Sequence, residues 1–72
     1  RRIKLKAGDS IPKCEMSSYV AFYVVEGVGV INVDNDNEII KEGQCMITKP
    51  ATISLKTDKG ILLLGFQINK TE

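Results

Sequence analysis

The sequence predicts an all-β domain, a sandwich or barrel of about eight short strands. Apolar residues alternate with polar ones or occur in short runs, and no window keeps a helical period. Glycine, proline, asparagine and aspartate separate these runs at intervals of roughly 8–12 residues, which is typical of small sandwiches and barrels. The 72 residues suffice for one small core, so residues 1–72 are predicted to form a single domain.

The individual strands follow from the β-branched and aromatic runs and from the turn residues between them. Gly8-Asp9 and Asp58-Lys59-Gly60 are predicted turns, and Asp34-Asn35-Asp36-Asn37 predicts a hairpin turn because Asp and Asn tolerate left-handed backbone. The predicted strands cover residues 3–6, 11–16, 20–26, 30–33, 39–40, 44–48, 53–56 and 61–68.

The charge balance argues against a nucleic-acid-binding role for this domain. Ten Lys and Arg residues face nine Asp and Glu residues, so the net charge of +1 provides no broad basic surface. The one basic segment, residues 1–6, alternates charged residues with Ile3 and Leu5. This pattern predicts an edge strand whose charges face water and protect the edge from pairing with other chains.

The sequence also predicts the cellular location of the protein. No apolar run reaches the ~18–20 residues that a membrane helix needs, and no secretion leader is visible. Two cysteines, Cys14 and Cys45, are too few for a disulfide scaffold. We therefore expect a cytoplasmic protein without membrane contact.

Two strands carry apolar residues on both faces, which predicts that their outer face is covered. In the strand 61–68 we expect the even-numbered apolar residues to face the core, with Ile61 and Leu63 pointing outward. The strand 20–25 has a similar excess of apolar residues. A homodimer is the simplest cover, and a further part of a longer chain is the alternative. The predicted core-facing set of strand 61–68 is Leu62, Leu64, Phe66 and Ile68, and the predicted dimer interface is Ala21, Tyr23, Val25, Ile61 and Leu63.

Glycine spacing then suggests a family. Gly8 is followed after five residues by Cys14-Glu15-Met16, after three more by Val20, and after six more by Gly27. The run Phe22-Tyr23-Val24-Val25-Glu26-Gly27 and the later segment from Gly43 to Pro50 complete the pattern. From residue 4 to residue 68 the chain resembles the cupin superfamily. The resemblance implies a small double-stranded β-helix, or jelly-roll, barrel of antiparallel strands.

The same resemblance identifies where a metal would be bound in many cupins. The positions of the usual three histidines and one glutamate correspond here to Cys14, Met16, Val20 and Leu55, and the chain contains no histidine. Valine and leucine cannot ligate a metal, so we expect no metal and no cofactor. A soft-metal site using Cys14, Met16 and Cys45 is an alternative, although sulphur-containing side chains also fill apolar interiors without binding metal.

These expectations lead to a functional hypothesis. Without histidine the chain lacks the commonest general base, which argues against an enzyme. We expect a metal-free, dimeric module that binds a small molecule or a partner, with a narrow apolar pocket. Two alternatives are the ligand-sensing barrel of a transcription regulator and a cupin metalloenzyme with Cys and Met ligands. The predicted pocket residues are Cys14, Met16, Val20, Phe22 and Leu55.

Overall fold

A computed structural model describes residues 1–68 and confirms the all-β class. Within these residues there are seven strands, and no helix is long and apolar enough to cross a bilayer. The strands are β1 Arg2–Leu5, β2 Ser10–Met16, β3 Tyr19–Val33, β4 Asp36–Lys41, β5 Cys45–Thr48, β6 Ala51–Lys56 and β7 Ile61–Ile68.

The long strand β3 joins two antiparallel sheets into one curled structure. Its N-terminal half pairs with β7 and β5, and β7 also pairs with β1, which gives the first sheet the order β1-β7-β3-β5. Its C-terminal half pairs with β4 and β6, and β6 also pairs with β2, which gives the second sheet the order β2-β6-β3-β4. This curled antiparallel arrangement is compatible with the predicted jelly-roll barrel.

The continuity of β3 accounts for the difference between about eight predicted strands and the seven observed. The sequence suggested a break at Gly27 and Gly29, but β3 runs through both glycines. Gly27 has a φ of +89°, and a side chain there would press on the Gly60 carbonyl oxygen and lie 2.9 Å from the Ile61 Cα. Only glycine fits this crossing of backbones, so Gly27 lets β3 leave the first sheet and continue into the second.

The hairpin between β3 and β4 confirms the predicted turn. Val33 pairs with Asp36, and the two residues between them have positive φ, 48° at Asp34 and 73° at Asn35. These values are typical of a two-residue type I′ turn, whose twist matches that of the flanking strands. The Asn32 side chain strengthens the turn by accepting from the Asn35 backbone N–H at 3.1 Å.

Strand β4 is longer than the two-residue stub expected at 39–40. It extends back to Asp36 because Asn37 and Glu38 pair with Asn32 and Ile31 of β3. Polar residues at an exposed edge give no hydrophobic alternation, so the sequence pattern did not reveal this part of the strand.

The core lies between the two sheets, and it reverses the predicted orientation of β7. Ile61 and Leu63 are 3% and 0% exposed, so they are core residues and do not contribute to an outer interface. They pair with Leu5 and Ile3 of β1, whose side chains face the same interior. The four residues expected in the core alternate with them and face outward: Leu62 and Leu64 are half-buried, and Phe66 and Ile68 are exposed.

The reason is that β7 has apolar residues in both alternating sets. Such a pattern does not fix which set faces the core, and here the outward set is the more apolar one, because the inward set includes Gly65 and Gln67. The neighbouring strand decides instead. Ile3 and Leu5 alternate with Arg2 and Lys4, so β1 has one polar face, and its register fixes the orientation of β7.

Candidate functional site

A cavity of about 620 Å³ lies between the sheets and is lined by residues from β1, β2, β3, β6 and β7. The predicted pocket residues Cys14, Met16, Val20, Phe22 and Leu55 all lie on its wall. The structure therefore brings all five together around one space.

Strand alternation and register explain this convergence. On β2, Cys14 lies opposite Ile53, and Met16 lies opposite Ala51. On β3, Val20 and Phe22 face the interior between the outward-facing residues 19, 21 and 23. Val20 and Leu55 are buried, Met16 and Phe22 are half-buried, and Cys14 is exposed at the opening.

Two polar side chains on the cavity wall, those of Arg1 and Gln67, were absent from the predicted pocket. Arg1 is the more informative, because residues 1–6 were interpreted as a solvated basic edge. Its α-ammonium group donates to the Gly65 carbonyl at 2.7 Å, and the Gly65 N–H donates to the Arg1 carbonyl at 2.8 Å. Arg1 thus continues the alternation of Ile3 and Leu5 and faces inward. The alternation in the sequence places Arg1 on their side, but only the pairing with Gly65 shows that the strand extends this far.

Comparison with known proteins gives a clear result for the fold. No family model matches the sequence, and no curated protein does. Among solved structures, a cupin superfamily protein from Desulfitobacterium hafniense superposes with a TM-score of 0.88 at 11% identity, covering 96% of this chain and 64% of that one. The Cnp3 cupin domain of Schizosaccharomyces pombe superposes at 0.80 with 16% identity, covering 89% and 50%. This chain has the cupin fold.

The proteins that share this fold differ widely. An RmlC-like cupin from Shewanella frigidimarina has a TM-score of 0.82 at 22% identity and covers 89% of this chain and 59% of that one. A salicylate 1,2-dioxygenase from Pseudaminobacter salicylatoxidans has 0.86 at 19%, covering 92% and 19%. The chain spans half to two thirds of the smaller cupins and about a fifth of the dioxygenase. Shared fold at such low identity does not transfer an activity.

The cavity wall does not suit the metal that the family pattern implies. Of the four positions that the family pattern implies, Val20 and Leu55 are buried hydrocarbon at 3% and 5% exposure, and only Cys14 and Met16 carry donor atoms. Within residues 1–68 there is no group of three Cys, Asp or Glu side chains that could hold an ion. One thiol and one thioether do not replace three imidazoles and a carboxylate.

The soft-metal alternative needed Cys45 beside Cys14 and Met16, and the structure separates them. Cys45 lies on β5 opposite Tyr23 and lines a second depression of about 300 Å³. Met46, its neighbour, packs against the core. The three sulphur atoms therefore do not share a wall.

The first sheet has an apolar outer face, which we call the outer patch. It includes three residues of the predicted interface: Tyr23 and Val25 are exposed, and Ala21 is half-buried. Register aligns Tyr23 with Leu64, and Ala21 with Phe66 and Ile47, so the apolar residues of three neighbouring strands are contiguous. The outer patch comprises Tyr19, Ala21, Tyr23, Val25, Ile47, Leu62, Leu64, Phe66 and Ile68.

Proposed function

We propose that this cupin is a binding module that holds a small, mainly apolar molecule between its sheets and acts as a homodimer without metal chemistry. The cavity carries this proposal. Its size falls within the range of about 300–1,000 Å³ that is common for small-molecule sites, and its wall is mainly hydrocarbon.

The chemistry of the wall favours binding over reaction. The chain has no histidine, and no Asp or Glu side chain of the described residues lines the cavity. General acid–base catalysis most often uses such a group within hydrogen-bond reach of the substrate. Val20 and Leu55 fill positions that would otherwise orient a metal, so the same space favours an apolar occupant.

The outer patch supports the dimeric part of the proposal. Tyr23, Phe66 and Ile68 are all more than 40% exposed although they lie on neighbouring strands. Contiguous apolar surface of this kind marks an interaction site more often than bare surface. A second copy of the chain is the occupant we propose, because a domain of 72 residues has a small core and gains stability by association.

Ligand binding is tested with 1-octanol as a neutral apolar probe, followed by two-dimensional NMR. We expect shift changes that saturate and that cluster around the cavity. The variant Cys14→Trp fills the opening without changing the buried core and is expected to abolish binding. Ile39→Trp is the matched control, since Ile39 is also exposed but lies on the second sheet, outside both the cavity and the outer patch. Unsaturable shifts scattered over the surface, or equal binding by Cys14→Trp, would overturn the binding module.

The dimer is tested by sedimentation equilibrium of the full chain over a micromolar concentration series. We expect a reversible monomer–dimer equilibrium, and a monomer throughout would overturn this half of the proposal.

Elemental analysis of protein purified without chelators tests the metalloenzyme alternative. This alternative requires stoichiometric copper or zinc that is lost on Cys14→Ala. The regulator alternative requires a helix-turn-helix segment in the same gene product.

A further inference from the structure

We propose that the cavity selects ligands with a carboxylate at one end of an apolar body, and that Arg1 and Gln67 bind this carboxylate. The inference rests on the proposed function and specifies its ligand class.

Arg1 lies beside β7 at the cavity wall. Its two backbone hydrogen bonds to Gly65 keep it in register with β7, so its side chain lies on the same side of the sheet as Ile3. Among the described residues on the cavity wall, Arg1 has the only charged side chain. Since no acidic side chain shares the wall with it, an anionic ligand group would be its ionic partner there.

Gln67 lies on the same part of the cavity wall. On β7 it lies opposite Val20, two residues after Gly65, and it therefore faces the interior beside the Arg1–Gly65 pair. Its carboxamide provides an additional N–H donor. Gly65 has no side chain, and the Ile3 and Phe22 side chains lie over it at van der Waals distance, so apolar surface adjoins the two polar residues.

The cavity wall changes from polar to apolar with depth. Arg1 and Gln67 are exposed, whereas Val20, Ile53 and Leu55 are buried. The polar groups thus lie at the opening and the hydrocarbon lies deeper. This arrangement orients an amphipathic ligand with its head at the opening and its chain inside, as in sites where a few polar groups fix the orientation of an apolar body.

A carboxylate fits the opening better than a neutral or cationic group. The planar guanidinium can donate two parallel hydrogen bonds to the two carboxylate oxygens, and such charge-assisted pairs are stronger than neutral hydrogen bonds. A nearby apolar wall lowers the local dielectric and strengthens the pair further. An ammonium group at the same place would be repelled by Arg1.

The experiment compares octanoate, 1-octanol and octylamine by isothermal titration calorimetry at neutral pH, with the full chain. We expect octanoate to bind about tenfold more tightly than octanol, because one charge-assisted contact typically contributes this much, and octylamine to bind most weakly. Added salt should weaken the binding of octanoate and leave that of octanol unchanged.

Variants then assign the effect to residues. Arg1→Gln should reduce octanoate affinity to the octanol level, while Arg1→Lys should keep part of the preference as a point charge. Gln67→Leu should lower octanoate affinity about threefold, as expected for one weaker hydrogen bond. Arg2→Gln is the matched control: it removes the same charge from the next residue, which pairs with Leu64 on the outer face, and should leave the preference intact.

Each outcome separates the two proposals. If octanol binds as tightly as octanoate and Cys14→Trp removes both, the cavity stands and the carboxylate selectivity is wrong. If none of the three probes binds, the proposed function itself fails. A preference for octanoate that survives Arg1→Gln in a variant with unchanged melting temperature would overturn the role of Arg1.

Discussion

The outer faces of the two sheets differ although β3 contributes to both. In the first sheet this face is the outer patch, with exposed Tyr19, Tyr23 and Phe66. In the second sheet it is mainly polar, as in the cross-strand pairs Glu15–Thr52 and Asn32–Ser54. A sheet with one solvated face normally has polar residues there, so the second sheet needs no cover.

The contrast shows that the fold does not require an apolar outer face. The second sheet packs on the same core, and its outer face is in contact with water. Ile39, on the edge strand β4, is an exposed apolar residue of this sheet. Single exposed apolar side chains are ordinary, whereas contiguous ones indicate contact. The outer patch therefore supports the proposed dimer, and four pairs of variants test this contrast and the packing beneath it.

The largest effect is expected within β7, the central strand beneath the outer patch. Leu63→Ala should lower the free energy of unfolding by about 4 kcal/mol, because Leu63 is fully buried and its truncation leaves a cavity. Leu62→Ala, on the outward side, should cost about 1 kcal/mol. Urea denaturation at several protein concentrations measures both and separates dissociation from unfolding. Equal losses would refute the observed orientation of β7.

The next effect concerns Gly27, where β3 passes from one sheet to the other. Gly27→Ala should destabilise the protein by about 3 kcal/mol, because it adds left-handed strain and a contact with the backbone of Gly60 and Ile61. Gly43→Ala is the control: its φ is also positive, at +83°, but a side chain there has open space. It should cost about 1 kcal/mol. Similar melting temperatures for the two variants would show that the contact with Gly60 and Ile61 does not destabilise Gly27→Ala.

The third prediction tests the outer patch directly. Tyr23→Lys should weaken dimerisation about 100-fold, or about 2.7 kcal/mol, because it introduces a charge at the middle of the proposed interface. Ile39→Lys places the same charge on the second sheet at a residue that is 70% exposed, and should leave the dimer constant unchanged. Sedimentation equilibrium provides both constants. A dimer weakened by Ile39→Lys alone would move the interface to the second sheet.

The smallest effects compare two buried threonines, Thr48 at the end of β5 in the first sheet and Thr57 directly after β6 in the second. The Thr57 hydroxyl donates to the Val28 carbonyl at 2.6 Å and accepts from the Gly60 N–H at 2.9 Å. Thr57→Val should therefore cost about 2 kcal/mol. Within the described residues, the Thr48 hydroxyl is buried without a hydrogen-bond partner, so Thr48→Val should raise stability by about 1 kcal/mol. Thermal denaturation measures both, and a loss of stability in Thr48→Val would indicate a hydrogen bond for that hydroxyl.

Several features of the fold could be predicted because their causes are local. The hairpin at Asp34-Asn35 depends on residues that tolerate positive φ. The wall residues Cys14 and Met16 could be placed together since they are two apart on one strand and point the same way. The resemblance seen in the glycine spacing agrees with the fold of the solved cupins, although identity to them is low.

Other features required the neighbouring strands. Gly27 has the appearance of a strand end in the sequence, and only its packing against Gly60 shows that it continues β3. Arg1 resembles a solvated charge until its pairing with Gly65 is known. Both depend on residues that are distant in the sequence, and no local propensity contains that information.

The sequence by itself determined the all-β class, the turns and the absence of imidazole from the cavity, since these follow from local backbone preferences and from composition. Only the tertiary structure decided which face of β7 is buried, where β3 changes sheets and that Arg1 faces inward. The physical reason is that a strand with apolar residues on both sides has no preferred orientation of its own. Register with β1 and β3 selects the orientation that fills the core.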